Sequence, residues 1–552
     1  MRPPWVLCAA VLGCASPTRT ATPVPGSAAA PLTPTPTPSP TATATPTSGT
    51  AAATAAPRRR GAESIEPERD EPSLAPIRHD LFLGSGEAPP PPALRPQVFP
   101  DRYTDVDGVL TFRGDPSRTG GAWGRRRVER GRLEVAWTTR TGPGTPRWGG
   151  GAGWTGEPVI VRWPEVVRHS MPALAGTGPG LVEVIQGSLD GSVHFLDLAT
   201  GRRTRAPLRT GNPIKGSVSL DPRGYPLLFV GQGIPGERPI GLRAYSLVDH
   251  TEVLFLPGLD GAAPRRWGAF DGSGLLNRDT DTFLVGGENG VVYVVDLGTT
   301  FDPIAMTVSL APRVLRYRFR DARSDRTGIE GSLAIHRNLA FFGDNGGTIQ
   351  ALDLRTFRPA WALEAGDDTD ASLVVDLEGR GPVLYAATEV DAQGESGLAR
   401  VRKIDGLTGR VLWERAFPCR GERGARKIDA GIFATPLVGR DDLADRVLVT
   451  LSRCPERGAL VALSKADGRE IWRTALRTDA WSSPTAVRDE VDGRTFVLQG
   501  DRGGRLHVVD GADGRVLHVL RLDGTIEASP AVFDDLVVLA TRAGTIYGIR
   551  IR

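Results

Sequence analysis

The apolar residues of this chain fall into short runs separated by turn residues, a pattern typical of β-strands and unlike the longer periodic stretches of amphipathic helices. Leu227 to Val230, Leu339 to Phe342 and Val537 to Ala540 are three such runs. Pairs such as Asn289-Gly290 follow several runs and supply the positive φ that a tight hairpin requires. The 68 glycines and 45 prolines also favour many turns. The pattern predicts an all-β fold.

A longer motif recurs along the chain and defines a repeat unit. Lys403-Ile-Asp-Gly-Leu-Thr-Gly-Arg-Val-Leu-Trp413 matches Ala462-Leu-Ser-Lys-Ala-Asp-Gly-Arg-Glu-Ile-Trp472. Self-similarity at a spacing of 40 to 59 residues is typical of propellers and other repeat architectures. The position of the first Asp is taken in turn by Asp197, Ser246, Asp296, Asp353, Asp405, Ser464, Asp510 and Arg550.

A second motif gives the same number of units. In most copies it is a small residue followed by proline or an aliphatic residue, and it precedes each copy of the first motif, at Glu157, Ser217, Ser273, Ser332, Ser372, Thr435, Ser483 and Ser529. Proline at the start of an inner strand loses no ladder hydrogen bond, because that strand has a free edge on the central channel. The two series together predict an eight-bladed β-propeller of four-stranded antiparallel blades, with the tryptophans packed between blades.

The last unit lacks an outer strand of its own. The chain stops at residues 546–552, which have the pattern of a third strand, and an unpaired edge would be exposed there. Residues 133–139 have the outer-strand pattern, with Trp137 in the role of Trp413. We expect this N-terminal strand to pair antiparallel with residues 545–552 and to close the ring.

The first residues have the features of an export signal. Arg2 is followed by an apolar run from Trp5 to Leu12, and Val11-Leu12-Gly13-Cys14 resembles the lipobox of bacterial lipoproteins. That resemblance implies a signal peptide of residues 1–13 and lipidation of Cys14, with export to the outer membrane if the cell has two membranes. An ordinary signal peptide or a short membrane anchor are the alternatives, although so short a run cannot span about 30 Å of hydrocarbon.

The segment after Cys14 is dominated by Pro, Thr, Ala and Ser, a composition that buries too little apolar surface to offset the entropy of ordering. We expect residues 14–102 to form a disordered tether and residues 103–552 to form the propeller. A net charge of only +3 gives no indication of nucleic-acid binding.

Two cysteines lie outside the signal. Cys419 follows the outer strand of one unit and Cys454 follows the second strand of the next, so both lie on the same face. Because an exported protein meets an oxidising compartment, we expect a disulfide between them. Closing a loop of about 35 residues stabilises a fold by roughly 3 to 4 kcal/mol in the chain-entropy model.

The Ala-x-Asp-x-x-Thr-Gly-x-x-x-Trp pattern resembles the quinoprotein-type (PQQ-like) repeat, from about Trp154 to Arg552, and the chain is similar to BamB-like propeller lipoproteins. Enzymes with this repeat hold PQQ beneath an adjacent Cys-Cys pair, and some attach haem through Cys-x-x-Cys-His. Neither motif is present here. The seven histidines show no zinc-ligand spacing. We therefore expect no enzyme activity, no cofactor and no catalytic or metal-binding residues.

Two acidic motifs leave an alternative open. Asp279-Thr-Asp281 and Asp367-Asp-Thr-Asp370 offer oxygen ligands for Ca²⁺. Carboxylates at such positions also cap turns, and neither motif has the closing Glu of a dedicated calcium loop, so turn capping is the favoured interpretation.

Inserted loops accumulate on one face of the predicted propeller, where second-to-third turns and outer-to-inner connections emerge. They are residues 231–241, 257–272, 311–330, 390–400 and 418–431. Because inserted loops often bind partners, the candidates for a basic partner face are Arg316, Arg320, Arg423 and Arg426. The alternative is that these are scattered arginines of an Arg-rich chain.

The resemblance and the motifs lead to one expectation of function: a lipid-anchored, non-catalytic scaffold of the cell envelope, with envelope proteins as partners and a role in outer-membrane protein assembly. We expect a monomer and no nucleic-acid partner. A PQQ-dependent dehydrogenase relative and an extracellular ligand-sensing propeller are the alternatives.

Overall fold

The structure is a computed structural model, and it describes residues 62–84, 86–87, 95–120, 123–126, 128, 131–144, 149–379, 381–423, 428–533 and 535–552. Eight antiparallel sheets of four principal strands form a propeller ring, so the predicted all-β, eight-bladed fold is confirmed. The predicted signal peptide, Cys14 and most of the predicted tether lie outside the described residues. Within the described residues, no helix has the length and apolar character needed to cross a membrane.

A short helix and five strands precede the first complete blade, and these strands join blades further along the chain. They are α1 (Glu71–Leu74), β1 (Ile77–Leu83), β2 (Gly86–Glu87), β3 (Gly108–Val109), β4 (Trp123–Arg126) and β5 (Leu133–Arg140).

Blades one to four follow in chain order, each listed from its inner to its outer strand. Blade one contains β6 (Val159–Val161), helix α2 (Glu165–Ser170), β7 (Glu183–Gly187), β8 (Ser192–Asp197) and β9 (Leu208–Arg209). Blade two contains β10 (Ser219–Leu220), β11 (Leu227–Gly231), β12 (Gly241–Ser246) and β13 (Glu252–Pro257). Blade three contains β14 (Leu275–Asn277), β15 (Thr282–Gly287), β16 (Val291–Asp296), the hairpin β17 (Thr300–Asp302) and β18 (Thr307–Ser309), and β19 (Arg313–Asp321). Blade four contains β20 (Ala334–His336), β21 (Leu339–Gly343), β22 (Thr348–Asp353) and β23 (Arg358–Glu364).

Blades five to eight complete the ring. Blade five contains β24 (Val374–Glu378), β25 (Gly381–Ala387), β27 (Ser396–Asp405) and β28 (Val411–Arg420). Blade six contains β26 (Glu389–Val390), β29 (Ala430–Gly431), β30 (Leu437–Val438), a 3-10 turn (Asp441–Leu443), β31 (Arg446–Ser452), β32 (Gly458–Ser464) and β33 (Glu470–Leu476). Blade seven contains β34 (Thr485–Asp489), β35 (Thr495–Gly500), β36 (Arg505–Asp510) and β37 (Val516–Arg521). Blade eight contains β38 (Ala531–Phe533), β39 (Leu536–Ala540), β40 (Thr545–Ile551) and, as its outer strand, β5.

The two sequence motifs occupy equivalent places in every blade. Seven third strands end on the predicted motif residue, and β40 ends one residue after Arg550. Each inner strand begins two residues after its copy of the second motif. In the channel these small residues bond across blades: the Ser273 N–H donates to Ser332 Oγ (2.9 Å) and the Ser332 N–H to Ser372 Oγ (2.8 Å).

Tryptophans of the outer strands lock neighbouring blades together. Trp361 of blade four lies against Gly409 of blade five, and its indole N–H donates to the Gly406 carbonyl at 3.0 Å. Gly409 has φ +74°, and a Cβ there would lie 2.6 Å from the Trp361 ring, so only glycine fits. Three further pairs repeat this contact, namely Trp413 with Gly468, Trp472 with Gly514, and Trp137 with Gly201. The predicted structural role of these tryptophans agrees with this geometry.

Strand β5 occupies the outer edge of blade eight. It pairs antiparallel with β40, from Leu133 opposite Ile551 to Arg140 opposite Thr545, as the sequence predicted for these two segments. The Trp137 indole N–H reaches across to blade one and donates to the Leu198 carbonyl at 2.8 Å. Strand β40 is therefore paired along both of its edges, with β39 on one side and β5 on the other.

The segment from Gly108 to Gly120 crosses the channel and fills it. Its backbone carbonyls accept from inner strands of three blades: Leu110 from Leu220 (2.8 Å), Pro116 from Ile335 (2.7 Å) and Ser117 from Val375 (2.9 Å). Arg113 and Arg118 are completely buried in it. Arg118 donates to the carbonyls of Leu333 (2.7 Å), Phe112 (2.9 Å) and Ser273 (2.8 Å). We call residues 108–120 the plug.

Part of the predicted tether is ordered. Strand β1 pairs antiparallel with residues 315–321 of the outer strand β19 of blade three, and α1 packs against β23. Residues 77–83 lie inside the range 14–102, so the fold begins before the predicted boundary at Tyr103. The physical reason is that β19 would otherwise present a nine-residue unpaired edge, of which β1 covers seven residues.

The predicted disulfide between Cys419 and Cys454 is present, with the two Cα atoms 4.0 Å apart. Cys419 lies near the end of β28, and Cys454 follows β31 in the next blade. The bond therefore links blades five and six at one face.

Replacing Trp137 by alanine tests the lock between the last and first blades. We expect Trp137→Ala to lower the free energy of unfolding by about 3 to 5 kcal/mol, because it removes a buried ring and its hydrogen bond. Urea denaturation followed by circular dichroism measures this. Val135→Ala on the same strand is the control, since Val135 is 39% exposed. Equal urea midpoints for the two variants would contradict the assignment.

Candidate functional site

The channel is open to an acidic cavity at the end away from the plug. In each blade the second-to-third turns and the outer-to-inner connections emerge at that same end, because alternate strands run in opposite directions. The cavity has a volume of about 340 Å³. Its lining residues all come from those turns and connections: Trp154, Lys215, Arg265, Arg326, Glu330, Asn345, Asp368, Asp370, Glu389, Asp391, Asp429, Phe433 and Trp481.

One group of carboxylates lies beside a lysine. Asp271, Glu288 and Glu330 place carboxylate oxygens within 4.8 Å of one another, and we call them the Asp271 cluster. The Lys215 ammonium forms an ion pair with Asp271. Burial opposes the lysine charge, but the surrounding carboxylates, Asp271 first, outweigh it and raise the Lys215 pKa well above its usual value. The Trp267 indole N–H donates to Glu288 at 2.6 Å. This cluster already has a resident cation.

A second group of carboxylates has no such partner. Asp368, Asp370 and Glu389 also place oxygens within 4.8 Å of one another, and we call them the Asp370 cluster. In the described part of the chain, no basic side chain forms an ion pair with any of the three. Burial, reinforced by Glu330, raises the pKa of Asp368 to about 7. Burial and the neighbouring carboxylates raise the pKa values of Asp370 and Glu389 well above the usual range.

The acidic motif of residues 367–370 divides between two roles. Asp367 caps a turn, as the sequence favoured: its carboxylate accepts from the N–H groups of Asp391 (3.1 Å), Ala392 (2.8 Å) and Gln393 (3.2 Å). Asp368 and Asp370 belong to the Asp370 cluster instead. In the other motif, Asp281 accepts from the Thr299 N–H at 2.6 Å and so stabilises a turn.

Five of the thirteen cavity residues occupy one repeat position that sequence reasoning missed. Two residues before the second motif, the eight units have Thr155, Lys215, Asp271, Glu330, Asp370, Phe433, Trp481 and Glu527. Seven of these are charged or aromatic, although the position lies beside a crowded channel where the repeat itself needs only small residues. That departure from the repeat was visible in the sequence. What was not visible is that the ring brings these positions together.

The four arginines of the predicted basic partner face occupy different settings in the chain. Arg316 lies on strand β19, not in a loop, and forms an ion pair with Asp260 at 2.6 Å. Arg320 lies on the same strand and pairs with Asp80 of β1 at 2.7 Å. The interpretation of residues 311–330 as a loop insertion is therefore wrong for residues 313–321, which form β19. The strict alternation of arginine with Leu315, Tyr317 and Phe319 was the signal of a strand.

The other two candidates, Arg423 and Arg426, lie close in sequence to Asp429, which lines the cavity. Arg423 binds Asp391 and Asp429 at 3.2 Å each, beside the cavity mouth. Arg426 lies outside the described residues. That the four arginines form a partner face therefore stays a prediction. Arg316 and Arg320 form their ion pairs on the outer strand of blade three.

Asp344, in the turn between β21 and β22, makes the free energy of unfolding of the protein depend on pH. Its Oδ1 accepts from the N–H groups of Gly346 (2.9 Å) and Thr348 (2.8 Å), whereas its Oδ2 is buried without a hydrogen-bond partner. Burial, aided by the charges of Asp368 and Asp321, raises its pKa to about 8. Because the folded pKa exceeds the unfolded value of 3.8, wild-type stability falls as pH rises from about 4 to 8.

Asp344→Asn should remove that part of the pH dependence, because an amide oxygen can accept the same two N–H groups. We expect the variant and the wild type to have similar thermal midpoints at pH 4 and below, and the variant to become increasingly more stable than the wild type as the pH rises to between 8 and 9. The exposed turn residue Asp513, changed to Asn, is the control. A constant difference between Asp344→Asn and the wild type at all pH values would contradict the prediction.

Comparison with known proteins agrees with the repeat. The model of a family described as outer membrane protein assembly factor BamB matches residues 456–552. The protein named outer membrane protein assembly factor BamB in Kangiella koreensis is 28% identical over 36% of this chain and 45% of its own length. Its namesake in Xanthomonas campestris is 26% identical over 39% and 46%. This chain therefore spans less than half of the length of the curated relatives it matches.

A solved structure shows the same fold in an enzyme. The quinohemoprotein alcohol dehydrogenase ADHIIG from Pseudomonas putida superposes with a TM-score of 0.53, at 12% identity, over 80% of each chain. At that identity the likeness concerns the fold alone, since one propeller fold serves unrelated functions. Taken with the eight blades, the matches show that this chain is a BamB-like, PQQ-type β-propeller.

Proposed function

We propose that this protein is a lipid-anchored, non-catalytic scaffold of the cell envelope that contributes to outer-membrane protein assembly. The similar proteins are named as outer-membrane protein assembly factors, and this supports a role in that process. The residues matched by their family model belong to blades six to eight. The geometry supports a binding role at the face with the acidic cavity. The single observation on which the proposal depends is a rigid ridge on that face.

The ridge consists of β27 and β28, which are ten residues long and pair from Ser396 opposite Arg420 to Ile404 opposite Val411. Its end lies at the cavity face, where the Cys419–Cys454 disulfide ties it to blade six. A groove of about 480 Å³ lies beside the disulfide, lined by Ser396, Gly397, Pro418, Cys419, Arg420, Arg453, Pro455, Glu456 and Arg457. Strand pairing and the disulfide restrict the conformational freedom of this ridge, which lowers the entropy cost of binding a partner.

The cavity is a poor site for the cofactor of quinoprotein enzymes. PQQ is a tricarboxylate, and six carboxylates line this cavity, those of Glu330, Asp368, Asp370, Glu389, Asp391 and Asp429. Like charges this close in a buried site repel strongly. The cavity residues therefore do not fit PQQ, and the dehydrogenase alternative has no support from the site.

Photo-crosslinking tests the scaffold proposal and its face. A benzophenone amino acid placed at the exposed Arg457 lies beside the groove, and one at Val491, 71% exposed in the turn between β34 and β35, lies on the opposite face. In intact envelopes we expect Arg457 to crosslink to a component of the outer-membrane assembly machinery, identified by mass spectrometry, and Val491 to give at most a tenth of that yield. Equal yields, or products containing none of those components, would refute the proposal.

The anchor has its own test. We expect Cys14→Ala to abolish incorporation of an alkyne fatty acid and to release the protein from the membrane fraction, because Cys14 is the proposed acylation site. Cys8→Ala is the matched control, since it removes a thiol from the same segment. Continued lipid labelling of Cys14→Ala would rule out the anchor while leaving the propeller's binding role intact.

A further inference from the structure

The Asp370 cluster is held in place by its backbone. Asp368 and Asp370 lie in the connection between blades four and five, and Glu389 lies in β26, just after the second strand of blade five. The Glu389 N–H donates to the Asp368 carbonyl at 3.0 Å. The Asn345 side-chain amide donates to the Asp368 carboxylate at 3.2 Å. Carboxylates from two segments of chain are thus fixed close together before any ligand binds.

Two oxygens of this cluster lack a partner. Glu389 is 4% exposed, and its Oε1 is buried with no hydrogen-bond donor within reach. Oδ1 of Asp370 is likewise buried and has no hydrogen-bond partner. A buried, unsatisfied carboxylate oxygen is costly, and it becomes favourable when a cation binds it. Both side chains line the cavity, which places these buried oxygens beside the space that a small ligand can enter.

The basic side chains around the cavity are engaged elsewhere. Arg326 and Arg423 bind Asp391 at 3.1 and 3.2 Å, and Lys215 binds Asp271. Arg265 donates to Asn345 at 2.6 Å. Among the residues that the structure describes, no basic side chain therefore neutralises the Asp370 cluster through an ion pair.

We propose that Asp368, Asp370 and Glu389 form a binding site for a hard divalent cation of the Ca²⁺ class. All three side chains offer carboxylate oxygens, the ligands that Ca²⁺ prefers, and none offers the nitrogen or sulfur that favours zinc. Calcium–oxygen distances of about 2.3 to 2.6 Å place opposite ligands about 5 Å apart. The separations within 4.8 Å fit this span, and the cavity has room for the water ligands that complete the shell.

The bound ion has a structural consequence that goes beyond the proposed scaffold function. It would join the blade four-to-five connection to the segment after β25, which continues to Asp391 and its two arginines. The ion therefore orders the mouth of the cavity without taking part in any reaction. The site does not depend on the identity of the protein partner, and its test needs none.

Terbium luminescence on the purified full-length protein tests the site. Tb³⁺ replaces Ca²⁺ at oxygen sites, and Trp154 and Trp481 line the same cavity and can sensitise its emission. After EDTA treatment and exchange into metal-free buffer, we expect saturable emission on adding Tb³⁺ and its displacement by Ca²⁺. The double variant Asp370→Asn/Glu389→Gln should lose at least tenfold in Tb³⁺ affinity.

Two matched controls locate the ion. Glu288→Gln changes the Asp271 cluster in the neighbouring part of the same face, and Asp279→Asn removes an exposed carboxylate from the other acidic motif. Both should bind Tb³⁺ like the wild type. No saturable emission up to millimolar Tb³⁺, equal affinity of the double variant, or loss of binding in Glu288→Gln instead would each overturn the assignment.

Thermal denaturation distinguishes a cation site from a purely structural cluster. Ca²⁺ should raise the thermal midpoint of the wild type and leave that of the double variant unchanged. In EDTA the double variant should be at least as stable as the wild type, because it relieves repulsion between carboxylates. If the double variant fails to fold, Asp368→Asn replaces it. Stabilisation of the wild type by an oligo-arginine peptide but not by Ca²⁺ would assign the cluster to a partner's basic side chain and overturn the proposal.

Discussion

The packing of an outer-strand tryptophan on a glycine turn of the next blade is the contact on which this ring depends. A four-stranded blade cannot bury both of its faces alone, so each blade is stable only against its neighbours. Trp361 illustrates the geometry: the ring fills the space left by the missing Cβ of Gly409, and its N–H satisfies a carbonyl of the same turn. Four blade junctions use this contact, including the one between blades eight and one.

Closing the ring creates a channel, and the residues at its two ends differ in charge. At one end the plug fills the channel with two buried arginines whose donors reach backbone carbonyls of several blades. At the other end the chain concentrates carboxylates in a cavity. Such a concentration of like charge is unfavourable by itself. It persists because the side chains are attached to inner connections whose positions are fixed by the whole ring.

The fold is shared with an enzyme, whereas the sequence is similar to proteins named as assembly factors, so any distinction of function must come from the sites. Here the repeat accounts for the Asp, Gly and Trp residues that recur along the sequence. The features left over lie on one face: the cavity, the blade-five ridge and the disulfide beside it. A preformed ridge and groove suit binding better than turnover, and an acidic cavity suits a cation better than an anionic cofactor.

Local sequence determined the blades themselves. The alternation of short apolar runs, the Asp-containing turn and the small residue before each inner strand act within one unit, so eight copies were enough to place every third strand. The pairing of β5 with β40 also followed, because an unpaired last strand and an unused outer-strand pattern occur in the same chain. Likewise Cys419 and Cys454 followed from their places in neighbouring units.

Contacts between distant segments were decided only by the tertiary structure. The order of residues 77–83 depends on the edge of β19, more than 200 residues away, which no composition of the tether reveals. Arg316 and Arg320 lie on this same strand, whose alternation of charged and apolar residues was visible in the sequence, whereas its pairing with β1 was not. The acidic cavity is the clearest case. Asp271, Glu330 and Asp370 are separated by 40 residues or more, and only the curvature of the ring turns their shared repeat position into one site.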